Sequence, residues 1–173
     1  MAQFRVLYLE HDPAKDKMKT AIEENIKGVA VDLLDNLYND FDSLPKSLDN
    51  NYYDLIITDV CFLPRGMEHE TDKTQPKNLL HNILETVNKH KGSRIPVLVV
   101  TQFTDETFDE VKKYNEEYGT KTYLFDKDML TQRMLVWWVE TIKLSIDQRR
   151  PEHALVKRLN ELIRNDPSFH PAS

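Results

Sequence analysis

A chain of 173 residues, 40% apolar and 30% charged, has the length and composition of a globular domain with a substantial core. A formal net charge of −6 and the lack of any lysine–arginine cluster argue against a nucleic-acid binder, which needs a basic surface to displace counterions. One cysteine, Cys61, excludes an intrachain disulfide, and no apolar run approaches the ~20 residues of a membrane span.

Phe4 to Leu9 reads as a strand and runs straight into Glu10-His11-Asp12. That early strand leaves no room for a signal peptide, and with the reducing environment a lone cysteine suits, the expected location is cytoplasmic. Asp12-Pro13 reads as a helix N-cap followed by proline at the first helical position. Ala14, Met18, Ala21, Ile22 and Ile26 follow at helical spacing, with Gly28 as the stop. Val29 to Leu34 forms the second strand. Phe41, Leu44 and Leu48 mark a short second helix, in which Pro45 is tolerable only if the helix begins near Asp42.

Leu55 to Thr58 is a β-branched-rich run, as expected of a strand buried on both faces of a parallel sheet, and it ends on Asp59. The polar stretch from Arg65 to Lys77, with Gly66 and Pro76, reads as a loop. Leu79, Leu80, Ile83, Leu84 and Val87 define a third helix, which Gly92 ends. Pro96 to Thr101 is the fourth strand. A fourth helix, from about Asp105 to Tyr118, has Phe108, Val111 and Tyr114 as its inner face, and Gly119 closes it.

Thr122 to Asp126 is the fifth strand, followed directly by Lys127. A fifth helix starts near Met129 and continues to about Gln148. Its apolar arc, from Leu144, Trp137 and Leu130 round to Ile142, Ile146 and Val139, spans roughly 220°, wider than one buried face needs. Pro151 opens a last short helix with Leu155, Leu159, Leu162 and Ile163 on one side. That helix is the expected cover for the second side of the arc, a second subunit the alternative.

Strict alternation of strands and helices predicts an α/β fold with a parallel, doubly wound sheet. No GxGxxG or GxxxxGK[ST] is present, and 4 glycines leave little scope for a backbone phosphate cradle. A lone aspartate at a strand end often does no more than cap a turn. Here acids end the first and third strands, a hydroxyl the fourth and an amine the fifth, at the sheet edge where open α/β folds bind ligands. That collection suits a phosphoryl group.

The motifs Leu9-Glu10-His11-Asp12-Pro13, Asp54-Leu55-Ile56-Ile57-Thr58-Asp59, Val99-Val100-Thr101 and Phe125-Asp126-Lys127 occur in this order along the chain. Together they resemble a response-regulator receiver (CheY-like) domain, over roughly Phe4 to Asp147. The resemblance implies a flavodoxin-like (βα)5 sheet of order 2-1-3-4-5, here with an extra C-terminal helix. It divides the chain into a receiver-like domain, 1–148, and a helical extension, 149–173.

The resemblance also implies roles. Asp59 matches the phospho-accepting aspartate, and Glu10 the first of two acids that hold Mg²⁺. Thr101 matches the hydroxyl that binds the phosphoryl group, Lys127 the lysine that pairs with Asp59 or its phosphate. Cys61 would offer its backbone carbonyl to the metal.

Several positions depart from the pattern. His11 stands where the second acid is usual, and histidine is a poor Mg²⁺ ligand because hard cations prefer oxygen. Asp12 is the residue that would compensate, though as an N-cap it would point at backbone amides. A weak Mg²⁺ site is therefore expected. Pro64 lies one residue further from Asp59 than is usual, and Asp128 follows Lys127 where proline is common. The segment Arg65 to Lys77 is roughly ten residues longer than a receiver requires. Its His69, Glu70 and Asp72 match no standard ligand spacing and read as solvated charges.

The expected function is a stand-alone receiver, not an enzyme, that accepts a phosphoryl group on Asp59 from a histidine kinase or phosphotransfer protein. After residue 148 too few residues remain for an independent output domain, so output passes through a downstream protein partner, without nucleic acid or membrane. A homodimer through the fourth helix, fifth strand and fifth helix is a further partner the resemblance implies. The alternative is a pseudo-receiver, an interaction module that works without phosphorylation.

Overall fold

A computed structural model describes residues 3–37, 40–60, 74–91, 95–119 and 121–146. Strands and helices alternate through them: β1 (Phe4–Leu9), α1 (Lys15–Asn25), β2 (Val29–Leu34), α2 (Ser43–Asn50), β3 (Leu55–Thr58), α3 (Thr74–Lys91), β4 (Val97–Thr101), α4 (Thr104–Tyr118) and β5 (Thr122–Asp126). A last helix, α5, covers 132–146. The chain divides into two compact units, Met1–Val136 and Trp137–Ser173.

The five strands form one sheet in the order β2-β1-β3-β4-β5, and every neighbouring pair is parallel. This is the predicted flavodoxin-like arrangement. Right-handed crossovers from β1 outward to β2, and from β2 back across to β3 and beyond, place α1 on one face and α2 to α4 on the other. Strand residues alternate between the faces. Leu7, Leu9, Ile56, Val97 and Val99 join Leu44, Leu48, Leu80, Ile83, Leu84, Val111 and Tyr114 in the core under α2 to α4. Val6, Tyr8, Ile57 and Leu98 are buried as well, on the opposite side. Covered on both faces, β3 is the continuous apolar run expected of a central parallel strand.

The direction of winding reverses between β1 and β3. Their carboxyl ends therefore flank a crevice that no crossover closes. That places Glu10 and Asp59 side by side.

Local boundaries correct the sequence reading in four places. The first helix begins at Lys15, not at Pro13, because the Asp12 carboxylate takes the Ala14 N–H (2.8 Å) and its carbonyl the Lys15 N–H (2.9 Å), closing a separate turn. Helix α3 begins at Thr74, inside the predicted loop, and Pro76 sits in its first turn, where a missing N–H costs nothing. Helix α5 starts at residue 132 rather than near Met129, after a turn closed on Asp126.

The fourth correction concerns Phe108, expected on the inner face of α4 and in fact 57% exposed. The buried face is Thr107, Glu110, Val111 and Tyr114. Two polar residues can lie inward because each is satisfied: the Thr107 hydroxyl donates to Phe103 O (2.7 Å), and Glu110 meets His81 Nδ1 of α3 at 2.6 Å. Gly119 ends α4 in the left-handed conformation, φ 63°, with its N–H on Asn115 O. The expected helix after Pro151 and the 148/149 boundary lie outside the described residues.

Candidate functional site

Four strand ends converge on the crevice, and the sheet ladder extends one residue into it at three of them. Glu10 N–H donates to Leu34 O (3.1 Å), Asp59 N–H to Leu9 O (2.9 Å), and Lys127 N–H to Thr101 O (3.0 Å). These residues inherit the rigidity of the sheet. Glu10 and Asp59 are 2% and 3% exposed, and Thr101 is fully buried.

Glu10 and Asp59 are both pinned by groups next to them in the chain. Glu10 Oε1 accepts the N–H groups of His11 and Asp12, both at 3.1 Å. Asp59 Oδ1 accepts the Val60 N–H at 2.6 Å, and the Thr58 hydroxyl donates to the Asp59 carbonyl at 2.6 Å. The remaining oxygens share one partner. Lys127 Nζ lies 2.9 Å from Glu10 Oε2, 2.9 Å from Asp59 Oδ2 and 3.7 Å from Asp12 Oδ2. One ammonium thus ties together two carboxylates that lie 117 and 68 positions from it in sequence.

Electrostatics follow from this packing. Burial, and next the Asp59 charge, push the Glu10 carboxyl up to about 7, against the pull of Lys127. Burial works against the Lys127 ammonium, yet the Asp59 and Glu10 carboxylates outweigh it and hold the amine well above its ordinary value. Tyr8, on the same face of β1 as Glu10, is raised by burial and then by the Glu10 charge.

The sequence-predicted residues fare differently. Glu10, Asp59 and Lys127 meet directly. Asp12 is not the helix N-cap expected of it: its Oδ1 takes the Ala14 N–H in the turn ahead of α1, while Oδ2 lies 3.7 Å from Lys127 Nζ. Thr101 lies on the neighbouring strand, two residues beyond Val99, the partner of Thr58. Its Oγ1 accepts the Phe103 N–H (3.1 Å), which uses a lone pair and keeps the O–H for donation. His11 Nδ1 sits 3.7 Å from Glu10 Oε1, beside the site but without a carboxylate to add. Cys61, Pro64 and the His69, Glu70 and Asp72 segment lie outside the described residues. Sequence reading missed the Val60 and Thr58 contacts on Asp59, which are made by or to backbone and leave no side-chain signature.

Among the described residues, no set of three or more His, Cys, Asp or Glu side chains is arranged to hold a metal ion. Two convergent carboxylate oxygens nevertheless fit Mg²⁺, which keeps several waters and takes one or two carboxylates. Lys127 already lies between them, so a cation and the ammonium would share the same negative field.

No protein-family model and no curated protein matches the sequence. Solved structures do match in fold. A signal receiver domain of a two-component histidine kinase from Clostridium thermocellum superposes with TM-score 0.53 at 13% identity, over 80% of this chain and 96% of that one. The phosphorylated cyanobacterial phytochrome response regulator gives 0.53 at 15% identity, covering 82% and 92%. The chain has the receiver fold. A third receiver domain, from a histidine kinase of Arabidopsis thaliana and solved with Mg²⁺ and BeF₃⁻, gives TM-score 0.50 at 16% identity, over 82% and 91%. In this receiver fold the Glu10, Asp59 and Lys127 cluster sits at the carboxyl ends of β1, β3 and β5, at the topological switch.

Proposed function

We propose that this chain is a phospho-accepting signalling domain, in which Asp59 takes a phosphoryl group from a partner histidine kinase or phosphotransfer protein. The observation that carries the reading is the Lys127 ammonium 2.9 Å from each of two buried carboxylates on adjoining strand ends. Two receiver-fold neighbours lend support, one described as phosphorylated and one as holding Mg²⁺ with BeF₃⁻.

The chemistry needs few groups. An Asp59 oxygen attacks the phosphorus of the donor's phosphohistidine; the O–P bond forms as the P–N bond breaks, and the imidazole leaves with the bonding electrons. The product is an acyl phosphate. The chain's own residues position the nucleophile and neutralise charge on the transferring group. Val60 N–H fixes the Asp59 carboxylate in one orientation. Lys127, kept charged by its two carboxylates, donates to the phosphoryl oxygens, and the Thr101 hydroxyl supplies a further donor. Glu10 and Asp59, with Asp12 alongside and the Cys61 carbonyl completing the set, would hold Mg²⁺, which supplies positive charge against the same oxygens.

Output in this reading passes through protein contacts, and a cytoplasmic location accompanies it. A receiver-like domain over 1–148 with a helical extension, 149–173, remains the proposed organisation, and α5 presents Trp137 and Leu144, both more than half exposed, to a protein partner. A second reading, a pseudo-receiver that binds its partner without phosphorylation, is favoured by His11 standing beside Glu10 where an acid would complete the metal site.

Incubation of the full chain with acetyl phosphate and Mg²⁺ should add one phosphoryl group by mass, and Asp59→Asn should abolish it. An unchanged mass at saturating donor, or labelling that survives the substitution, overturns the phospho-acceptor reading and leaves the pseudo-receiver.

A further inference from the structure

Lys127 reaches its carboxylates only if the chain around it is held still, because four flexible methylenes separate the ammonium from the backbone. On the upstream side the anchor is the sheet, since Asp126 pairs with Thr101 in register and Lys127 N–H bonds to Thr101 O at 3.0 Å. Downstream there is no ladder. The chain leaves β5 in a tight turn, and Asp126 accepts three hydrogen bonds that shape it. Its carbonyl takes the N–H groups of Met129 (3.1 Å) and Leu130 (3.0 Å), and its side-chain Oδ1 takes the Asp128 N–H at 2.9 Å.

The side-chain bond has a specific origin. Residue 128 is an aspartate with an N–H to satisfy, and a carboxylate two residues earlier closes an Asx turn on it. No ring stiffens this corner, so the hydrogen bond does. We propose that Asp126 is a positioning residue, whose side-chain acceptor on the Asp128 N–H holds the turn that keeps Lys127 between Glu10 and Asp59. The geometry stands by itself; only its consequence for phosphoryl transfer rests on the phospho-acceptor reading.

Two substitutions separate acceptor from charge. Asp126→Asn keeps an oxygen that can take the same N–H, whereas Asp126→Ala removes it. The first measurement is the Nζ signal of Lys127 in full-length protein carrying isotope-labelled lysine, assigned by its loss in Lys127→Met. The second is the rate of Asp59 labelling by acetyl phosphate with Mg²⁺, with far-UV dichroism as the check on folding.

Asp126→Ala should broaden or shift the Lys127 signal and slow labelling about fivefold, the worth of one modest hydrogen bond. Asp126→Asn should restore both. A wild-type lysine signal in Asp126→Ala overturns the proposal, and so does an Asp126→Asn that behaves like Asp126→Ala, since charge would then be the cause. If the wild type takes no phosphoryl group at all, the phospho-acceptor reading falls, while the lysine signal still decides for or against the turn.

Discussion

Glu10 is the residue where burial and charge conflict most. Its carboxyl ordinarily titrates at 4.5, and in the folded chain burial and Asp59 raise it to about 7. The folded state therefore binds this proton more tightly than the unfolded chain does. Stability from that proton is complete below the ordinary value and is lost as pH rises through the raised one. Without Mg²⁺, denaturant titrations should show stability falling by ~2 kcal/mol between about pH 5 and about pH 7.5. Glu10→Gln, which stays neutral throughout, should flatten that slope. The same slope in both proteins would show that another group is responsible.

At the scale of elements, the free edge of the sheet shows how a helix can protect a strand. Among the described residues β2 pairs only with β1, and the groups of Val31 that face away from β1 are taken by α1. Glu23 Oε2 accepts the Val31 N–H at 3.1 Å and Lys19 Nζ donates to the Val31 carbonyl at 2.7 Å, while the two side chains meet each other at 3.6 Å. An unpaired edge is a template for another strand, and this clasp closes it. Replacing Lys19 and Glu23 together by alanine should speed hydrogen exchange at the Val31 amide about tenfold and favour association at high concentration. Unchanged exchange at Val31 would mean that the clasp adds nothing. At the other end of the sheet, Gly119→Ala should cost ~1 kcal/mol, because φ is positive there and nothing lies within 4 Å of an added Cβ; the penalty is purely conformational.

For the whole molecule, the distribution of charge matters more than the fold. The sheet collects Glu10, Asp59 and Asp12 around one ammonium, which leaves the crevice net negative when all are ionised. A divalent cation should therefore bind the native chain in preference to the unfolded one. Mg²⁺ at a hundredfold excess over its Kd should raise unfolding stability by ~2.7 kcal/mol, visible as a rise in Tm. Glu10→Gln should remove most of that gain. No Tm response to Mg²⁺ in the wild type would favour the pseudo-receiver, with Lys127 as the resident cation. None of the described helices is long and apolar enough to cross a membrane.

Sequence alone determined the alternation of elements, because period-two and period-3.6 apolar patterns are local and the central strands β3 and β4 are dense β-branched runs. It also placed Glu10, Asp59, Thr101 and Lys127 at strand ends, since an ionisable residue straight after a buried run has few other places to go. Phe108 misled because hydrophobicity marks a face only when polar neighbours cannot be buried, and Thr107 and Glu110 found partners at the residue capping the helix and on α3. The start of α1 was displaced by a turn whose closing bonds no pattern of side chains announces. Only the tertiary structure could decide that one lysine bridges two carboxylates, that Val60 and Thr58 hold Asp59, and that Asp126 holds the lysine's turn. The lysine bridge joins residues far apart in the chain and exists only once the sheet has fixed the register that brings them together. The other contacts run to or from backbone groups of near neighbours and leave no side-chain pattern to read.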